Sequence, residues 1–146
     1  MGMVYKAIAP LIQRPVVLKT IHRSLVGDDD AMSGMAARFR NEAKAAGRML
    51  HPGIVAIYEY GEDADTAFIA MEYVEGQDLS KVLNSTPHLP ESMLIQIMDH
   101  LLAVLDYAHQ QGVWHRDIKP ANLILTRNGQ LKKLQTLALP ESEMLD

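Results

Sequence analysis

The sequence predicts an α+β protein whose architecture changes near Gly76. Three observations lead there. Before Gly76, short β-prone runs alternate with turn residues. Among those runs lies one stretch with helical spacing of apolar residues. After Gly76 comes a long amphipathic helical segment, then a polar loop and a small hairpin.

The elements follow in order. Met3 to Ala9 and Val16 to Ile21 are β-prone and flank a turn containing Pro10 and Pro15, which predicts a hairpin. Gly27 and Asp28-Asp29-Asp30 make a polar break. From Met35 to Leu50 the residues Met35, Phe39, Ala43, Ala46 and Leu50 recur at helical spacing. His51-Pro52-Gly53 is expected to stop that helix, because proline lacks a backbone donor and disfavours helix before it. Ile54 to Tyr60 and Ala67 to Val74 predict two more strands, joined by the acidic turn Gly61 to Asp65.

Leu79 to Leu83 is a short helical piece, and Pro87 to Pro90 introduces a long helix from Glu91 to Gln111. Leu94, Ile97, Met98, Leu101, Leu105 and Ala108 draw one apolar stripe along it, and Gly112 supplies the stop. A strand at Leu123 to Thr126, a turn at Asn128-Gly129 and renewed pairing at Leu131 complete the expected order.

Composition narrows the function classes. A chain of 146 residues with 48% hydrophobic and 22% charged residues is expected to be globular. Its net charge of −4 provides no general basic surface, so nucleic acid is not an expected partner. The absence of cysteine excludes disulfides and thiolate metal sites, and it suits a cytoplasmic location. No apolar run reaches membrane-spanning length, although a longer parent protein could carry an anchor. The six histidines show no zinc spacing.

Chemistry concentrates in His115-Arg116-Asp117-Ile118-Lys119-Pro120-Ala121-Asn122. Eight residues hold a carboxylate able to face a hydroxyl, a cation, and a neutral amide oxygen able to help hold a metal. A lone Asp-x-Lys would be an ordinary charged surface loop. The full stretch, between a long amphipathic helix and a strand, resembles the catalytic loop of protein kinases, and Lys119 points to the Ser/Thr branch.

The resemblance extends along the chain. Gly2-Met3-Val4-Tyr5-Lys6-Ala7 resembles the end of the glycine-rich loop, with Gly2 as its last glycine and Val4 as its valine. Val16-Val17-Leu18-Lys19 is similar to the V-A-I-K strand. It implies that Lys19 contacts the α- and β-phosphates, with Val17 standing where alanine usually covers the adenine ring. Glu42 takes the part of the helix glutamate that pairs with that lysine; by itself it is an i,i+4 partner for Arg38.

Ala70 to Gly76 resembles the last strand and hinge of the family's smaller lobe. This makes Met71 the gatekeeper, gives the backbone of Glu72 and Val74 to the adenine edge, and sets Asp78 near the ribose. Ile124 becomes the apolar floor of the nucleotide site. On residue type alone, Met71 and Ile124 are equally plain core. Trp114 stands where the family has a smaller aliphatic residue.

Domain boundaries follow from the same resemblance: 1–75 as a β-rich N-lobe with one helix, lacking its first strand and first two loop glycines. Residues 76–133 form the start of a helical C-lobe, and 134–146 a non-family tail. The kinase-like fold is therefore expected to be incomplete.

After Lys132-Lys133 the family continues with Asp-Phe-Gly, whose aspartate binds Mg²⁺. Here the sequence runs Leu134-Gln135-Thr136-Leu137-Ala138 instead. With suitable synonymous codons, reading from the last base of the Lys133 codon gives I-A-D-F-G-I-A-R-I. A frameshift in the adenine-rich Lys132–Lys133 codons is the expected origin of the tail. The nucleotide sequence decides this, since codons incompatible with the shifted frame exclude it.

The resemblance implies a Ser/Thr protein kinase, most like the bacterial kinases of eukaryotic type. Such an enzyme moves the γ-phosphoryl group of ATP to a protein Ser/Thr hydroxyl with Mg²⁺. Asp117 would orient the hydroxyl, Lys119 offset charge and Asn122 bind the metal. The alternative is a pseudokinase-like fragment that binds partners without catalysis.

Overall fold

The computed structural model describes residues 2–22, 37, 39–41, 43–63, 65–113 and 118–133. They form two compact units. One is drawn from Met1–Arg48 and Ala56–Tyr73, the other from Met49–Val55 and Val74–Thr136.

The first unit is a four-stranded antiparallel sheet. Its strands are β1 (Gly2–Ala9), β2 (Arg14–His22), β3 (Ile57–Glu62) and β4 (Thr66–Glu72), in the order β1-β2-β4-β3. The predicted hairpin forms, but Pro15 lies inside β2 opposite Ile8. Pairing of β2 with β4 begins only at Val16, so the missing proline N–H falls beyond the end of that ladder. The third and fourth strands are shorter than the runs predicting them. Ile54 makes only an isolated bridge, while Gly61 and Glu62 extend β3 into the expected turn. That turn is closed by the Asp63 N–H donating to the Thr66 carbonyl at 2.7 Å.

Residues 37, 39–41 and 43–47 are helical and constitute α1. Phe39, Ala43 and Ala46 are buried as their spacing requires. The expected stripe ends there, however. The helix stops after residue 47, so Met49 turns inward at 5% exposure and Leu50 outward at 79%. Once the helical repeat ends, spacing no longer says which side chain faces the core. The stop also precedes His51-Pro52-Gly53, and Met35 lies outside the described residues.

The second unit contains a three-stranded sheet of β5 (Gly76–Asp78), β6 (Leu123–Thr126) and β7 (Leu131–Lys133), in the order β5-β6-β7. Strand β5 has no counterpart among the sequence expectations, since Gly-Gln-Asp carries no strand preference. Gly76 makes its pairing possible. A Cβ at that position would lie 2.4 Å from the Leu125 carbonyl oxygen and 2.9 Å from Ile124 Cγ2. Only a residue without a side chain lets β5 lie that close to β6.

Two helices accompany this sheet, α2 (Leu79–Ser85) and α3 (Glu91–Gln110). The stripe that α3 buries is Ile97, Leu101, Val104 and Ala108. Leu94 and Met98, expected in it, are 44% and 51% exposed. Burying one Leu or Ile is worth roughly 1.5–3 kcal/mol, several times the differences in helix propensity among these residues. Packing partners therefore decide which of two apolar rows faces inward. Ile97 and Leu101 join Leu79, Leu123, Leu125 and Leu131 in one cluster. Val104 and Ala108 join Met49 and Ile54 in another.

The end of α3 behaves as its glycine predicts. Gly112 has φ +75°, its N–H bonds the His109 carbonyl, and Val113 N–H bonds the Ala108 carbonyl. That double closure satisfies carbonyls the helix would otherwise leave open.

Two glycine substitutions with opposite signs test this packing. Gly76→Ala is expected to cost about 1–3 kcal/mol through overpacking against β6. Gly47 has helical backbone, and a Cβ added there would meet no atom within 4 Å. Gly47→Ala is therefore expected to stabilise by about 0.4–1 kcal/mol. Urea unfolding of both variants checks the pair.

Candidate active site

In an antiparallel ladder, directly opposed residues project to the same face. Val17 of β2 stands opposite Lys6 of β1 and Met71 of β4. Lys19 stands opposite Val4 and Ile69. Residues 17 and 19 are themselves two apart on one strand, which keeps them on one face. The pairing thus gathers Val4, Val17, Lys19 and Met71 on one side of the sheet. Gly2 opens β1 opposite Ile21.

The environments across this face differ. Val4 is 62% exposed, while Met71 is 6% exposed. Val17 and Lys19 are half-buried. A cation with a long alkyl stem thereby lies among apolar side chains, an arrangement in which the stem packs and the ammonium stays hydrated or paired. At the edge of the same sheet, Lys6 Nζ sits 4.1 Å from the centre of the Tyr73 ring.

Glu72 faces the other way, opposite Val16. Its N–H donates to the Ala56 carbonyl at 2.8 Å, and its Oε2 accepts from the Ala56 N–H at 3.2 Å. A hinge role for Glu72 must therefore run through its carbonyl. Its side chain ties β4 to the segment ahead of β3. Val74 follows, half-buried, between β4 and β5.

Glu42 lies outside the described residues, but the helix around it is attached at a defined point. Arg40 Nε is 3.0 Å from Glu62 Oε1 on β3, and the Tyr60 hydroxyl donates to the same oxygen. The Tyr60 ring lies 6.1 Å from that of buried Phe39. Hydrogen bonding with Tyr60 and the charge of Glu62 raise the Arg40 guanidinium above its ordinary value. Burial, with Glu62 bonding to it, raises the Tyr60 phenol. No sequence pattern announces this attachment, because its partners are 22 residues apart.

In the second unit, Asp117 and the neighbouring residues from Trp114 to Arg116 lie outside the described residues. Lys119 is extended and half-buried, and a one-turn 3-10 helix, Pro120–Asn122, follows it. Pro120 suits the first position of such a turn because its missing N–H would have no partner there. Asn122 N–H closes the turn on the Lys119 carbonyl at 3.0 Å. Asn122 is only 6% exposed, the one buried polar residue among those described. A buried neutral amide presents an oxygen with little competition from water, which fits a hard cation such as Mg²⁺. Among the described residues no group of three or more His, Asp or Glu could hold a metal, so Asn122 would share it with phosphate oxygens and undescribed groups.

Ile124 follows on β6, directly opposite Asp78 of β5. The two residues share a face, as a ribose contact and an apolar floor would require. Asp78 has a structural duty as well. It caps α2, its Oδ1 accepting from Lys81 N–H at 2.8 Å and from the Ser80 hydroxyl. Burial raises the Asp78 carboxyl, but the hydrogen bonds from Ser80 and Lys81 and the Lys81 charge outweigh it and hold the group below its ordinary value.

The protein kinase domain model matches residues 1–134. The chain belongs to the protein kinase family. It is 41% identical over 136 residues to the probable serine/threonine-protein kinase SCO3848 of Streptomyces coelicolor, covering 90% of this chain and 20% of that protein. It is 40% identical over 126 residues to the serine/threonine-protein kinase pkn3 of Myxococcus xanthus, covering 86% and 22%. PrkC of Bacillus subtilis, also a serine/threonine-protein kinase, is 35% identical over 132 residues, with coverage of 90% and 20%. The chain therefore spans about a fifth of the length of these relatives. The fold is similar to the apo form of PpkA-294, with TM-score 0.81 and 22% identity, over 91% of this chain and 53% of that one. The family generally uses ATP and Mg²⁺. Among the described residues no helix is long and apolar enough to cross a membrane.

Asp78 provides a pH test. Its folded-state value lies below the unfolded one, so its contribution is complete above about pH 4. It is lost as pH falls through the lower folded value. Asp78→Asn keeps an equally good cap but removes this acid-side dependence. Asp78→Ala loses the cap and about 1 kcal/mol at neutral pH. Urea midpoints from pH 2.5 to 7 distinguish the two.

Proposed function

We propose that this chain carries the nucleotide-binding and catalytic-loop residues of a Ser/Thr protein kinase, which transfers the γ-phosphoryl group of ATP to Ser or Thr hydroxyls of proteins. The observation that carries this reading is the β2 register, with Val4, Val17, Lys19 and Met71 on one face. Family membership supports it.

In this reading Gly2 and Val4 cover the nucleotide, Val17 and Met71 bound the adenine, and Lys19 contacts the α- and β-phosphates with Glu42 behind it. The Glu72 carbonyl and the Val74 backbone serve the adenine edge, Asp78 the ribose, and Ile124 the apolar floor. Asp117 accepts the proton of the attacking hydroxyl, and Lys119 offsets charge on the transferring group. When bound, Mg²⁺ neutralises the phosphate charge, and Asn122 would be among its ligands. Residues 1–75 and 76–133 are assigned to the two lobes, and the protein substrate is recognised through a Ser or Thr hydroxyl.

Catalysis by this chain is expected to be weak, because no Asp-Phe-Gly follows Lys133. The same observation favours a second reading, a nucleotide-binding module without transfer. Binding and transfer are therefore measured separately.

Lys19→Ala is expected to weaken Mg-ATP binding about 10- to 100-fold, the range for loss of a charge-assisted contact of roughly 1.5–3 kcal/mol. Val17→Ala is expected to tighten it by removing methyl groups from the adenine side. Calorimetric titration of the purified chain measures both. Unchanged affinity in Lys19→Ala would remove the assignment of that face. A radiolabelled transfer assay with Asp117→Asn as control measures catalysis; transfer that survives this substitution would exclude Asp117 as the base.

A further inference from the structure

Within the second unit, a cavity of about 140 Å³ lies between the 51–53 turn, α3 and β7. Nothing in the phosphoryl-transfer reading uses it. Pro52, Gly53, Ala103, Val104, Gln130 and Leu131 line it, together with His51 and His100.

Both rings are held in the same way. His51 Nδ1 accepts the Gly53 N–H at 2.9 Å, and His100 Nδ1 accepts the Leu131 N–H at 3.4 Å. A backbone N–H can only donate, so each Nδ1 lone pair is occupied and each neutral ring carries its proton on Nε2. Among the described residues neither Nε2 has a partner. His51 is fixed further by Tyr107, whose ring centre lies 5.1 Å away and whose hydroxyl accepts the Leu50 N–H at 3.0 Å.

This tautomer decides the ligand class. A metal ion would need the Nε2 lone pairs, which exist only if both backbone hydrogen bonds are given up. Among the described residues the lining contains no carboxylate, so none of them offers a cationic ligand a charge partner. What remains is two imidazole N–H donors and the Gln130 amide beside an apolar wall, donors suited to the two oxygens of a carboxylate. Size sets the rest. The recess, about 140 Å³ and partly open to solvent, has room for one benzene-sized ring.

We propose that this cavity is a binding site for a small single-ring carboxylate, held by the Nε2–H groups of His51 and His100 with its ring against Val104 and Leu131. Fixing both donors in advance reduces the ordering cost of binding.

The test is titration of the purified chain with benzoate at pH 7.5, read from the imidazole NMR signals. No nucleotide is present, so the result is independent of the phosphoryl-transfer reading. Both His51 and His100 signals should shift together and saturate. Toluene and inorganic phosphate should each bind at least tenfold more weakly than benzoate. Ala103→Phe, which fills the cavity while leaving both imidazoles, should abolish the shifts without lowering the urea midpoint. His100→Leu should weaken binding at least tenfold and decides the matter if Ala103→Phe perturbs folding. Toluene binding as tightly as benzoate would overturn the proposal, as would unlinked histidine shifts, saturation of the pair by Zn²⁺, or benzoate binding that survives in His100→Leu.

Discussion

The register of β2 is the constraint on which the first unit depends. This strand is paired on both sides, and its alternation is therefore fixed by two ladders at once. A slip of one residue against either neighbour would send Lys19 to the opposite face from Val4 or Met71. Central strands resist such slips because each pairing error exposes a row of apolar residues and buries a charged one. Buried Val16 and Ile21 mark the two ends of the protected stretch, and Ile69, fully buried, stands beside Lys19. The half-buried lysine is thus held in register by two ladders at once.

In the second unit the corresponding constraint is close approach. Gly76 admits β5 against β6, and that pairing brings Asp78 opposite Ile124. Gly53 does the same for the turn ahead of β3, where an added Cβ would lie 2.4 Å from Val104 Cγ2. Val104 is itself 1% exposed and belongs to α3, so the turn and the helix fix one another. The two histidine–backbone bonds lie at this same contact. The cavity lined by His51, His100 and Leu131 lies beside that contact.

Much of this was legible in the residues. The β1–β2 hairpin, the helix stop at Gly112 and the β6–β7 hairpin all rest on local chemistry: turn residues, a positive φ and alternation. The family resemblance rests on local strings as well. Other features were not legible, for physical reasons that differ. Strand β5 has no intrinsic preference and exists only because β6 accepts it. Leu94 and Met98 have the same spacing as Ile97 and Leu101, but none of the described residues buries them. Leu50 lies three residues past the end of α1, where the helical repeat no longer applies. The Glu72–Ala56 and Arg40–Glu62 contacts join residues far apart in sequence, and no periodicity announces them.

The family, the order of elements apart from β5, and the residue types available for phosphoryl transfer follow from the amino-acid string. They are properties of short segments, set by side-chain chemistry and local backbone preference. Packing in three dimensions settled which candidates share a face, which apolar row of α3 is buried, and that Asp78 caps a helix. It also settled the tautomers of His51 and His100. Most of these outcomes need a partner distant in the chain, and a hydrogen bond or a buried contact has no energy until that partner arrives.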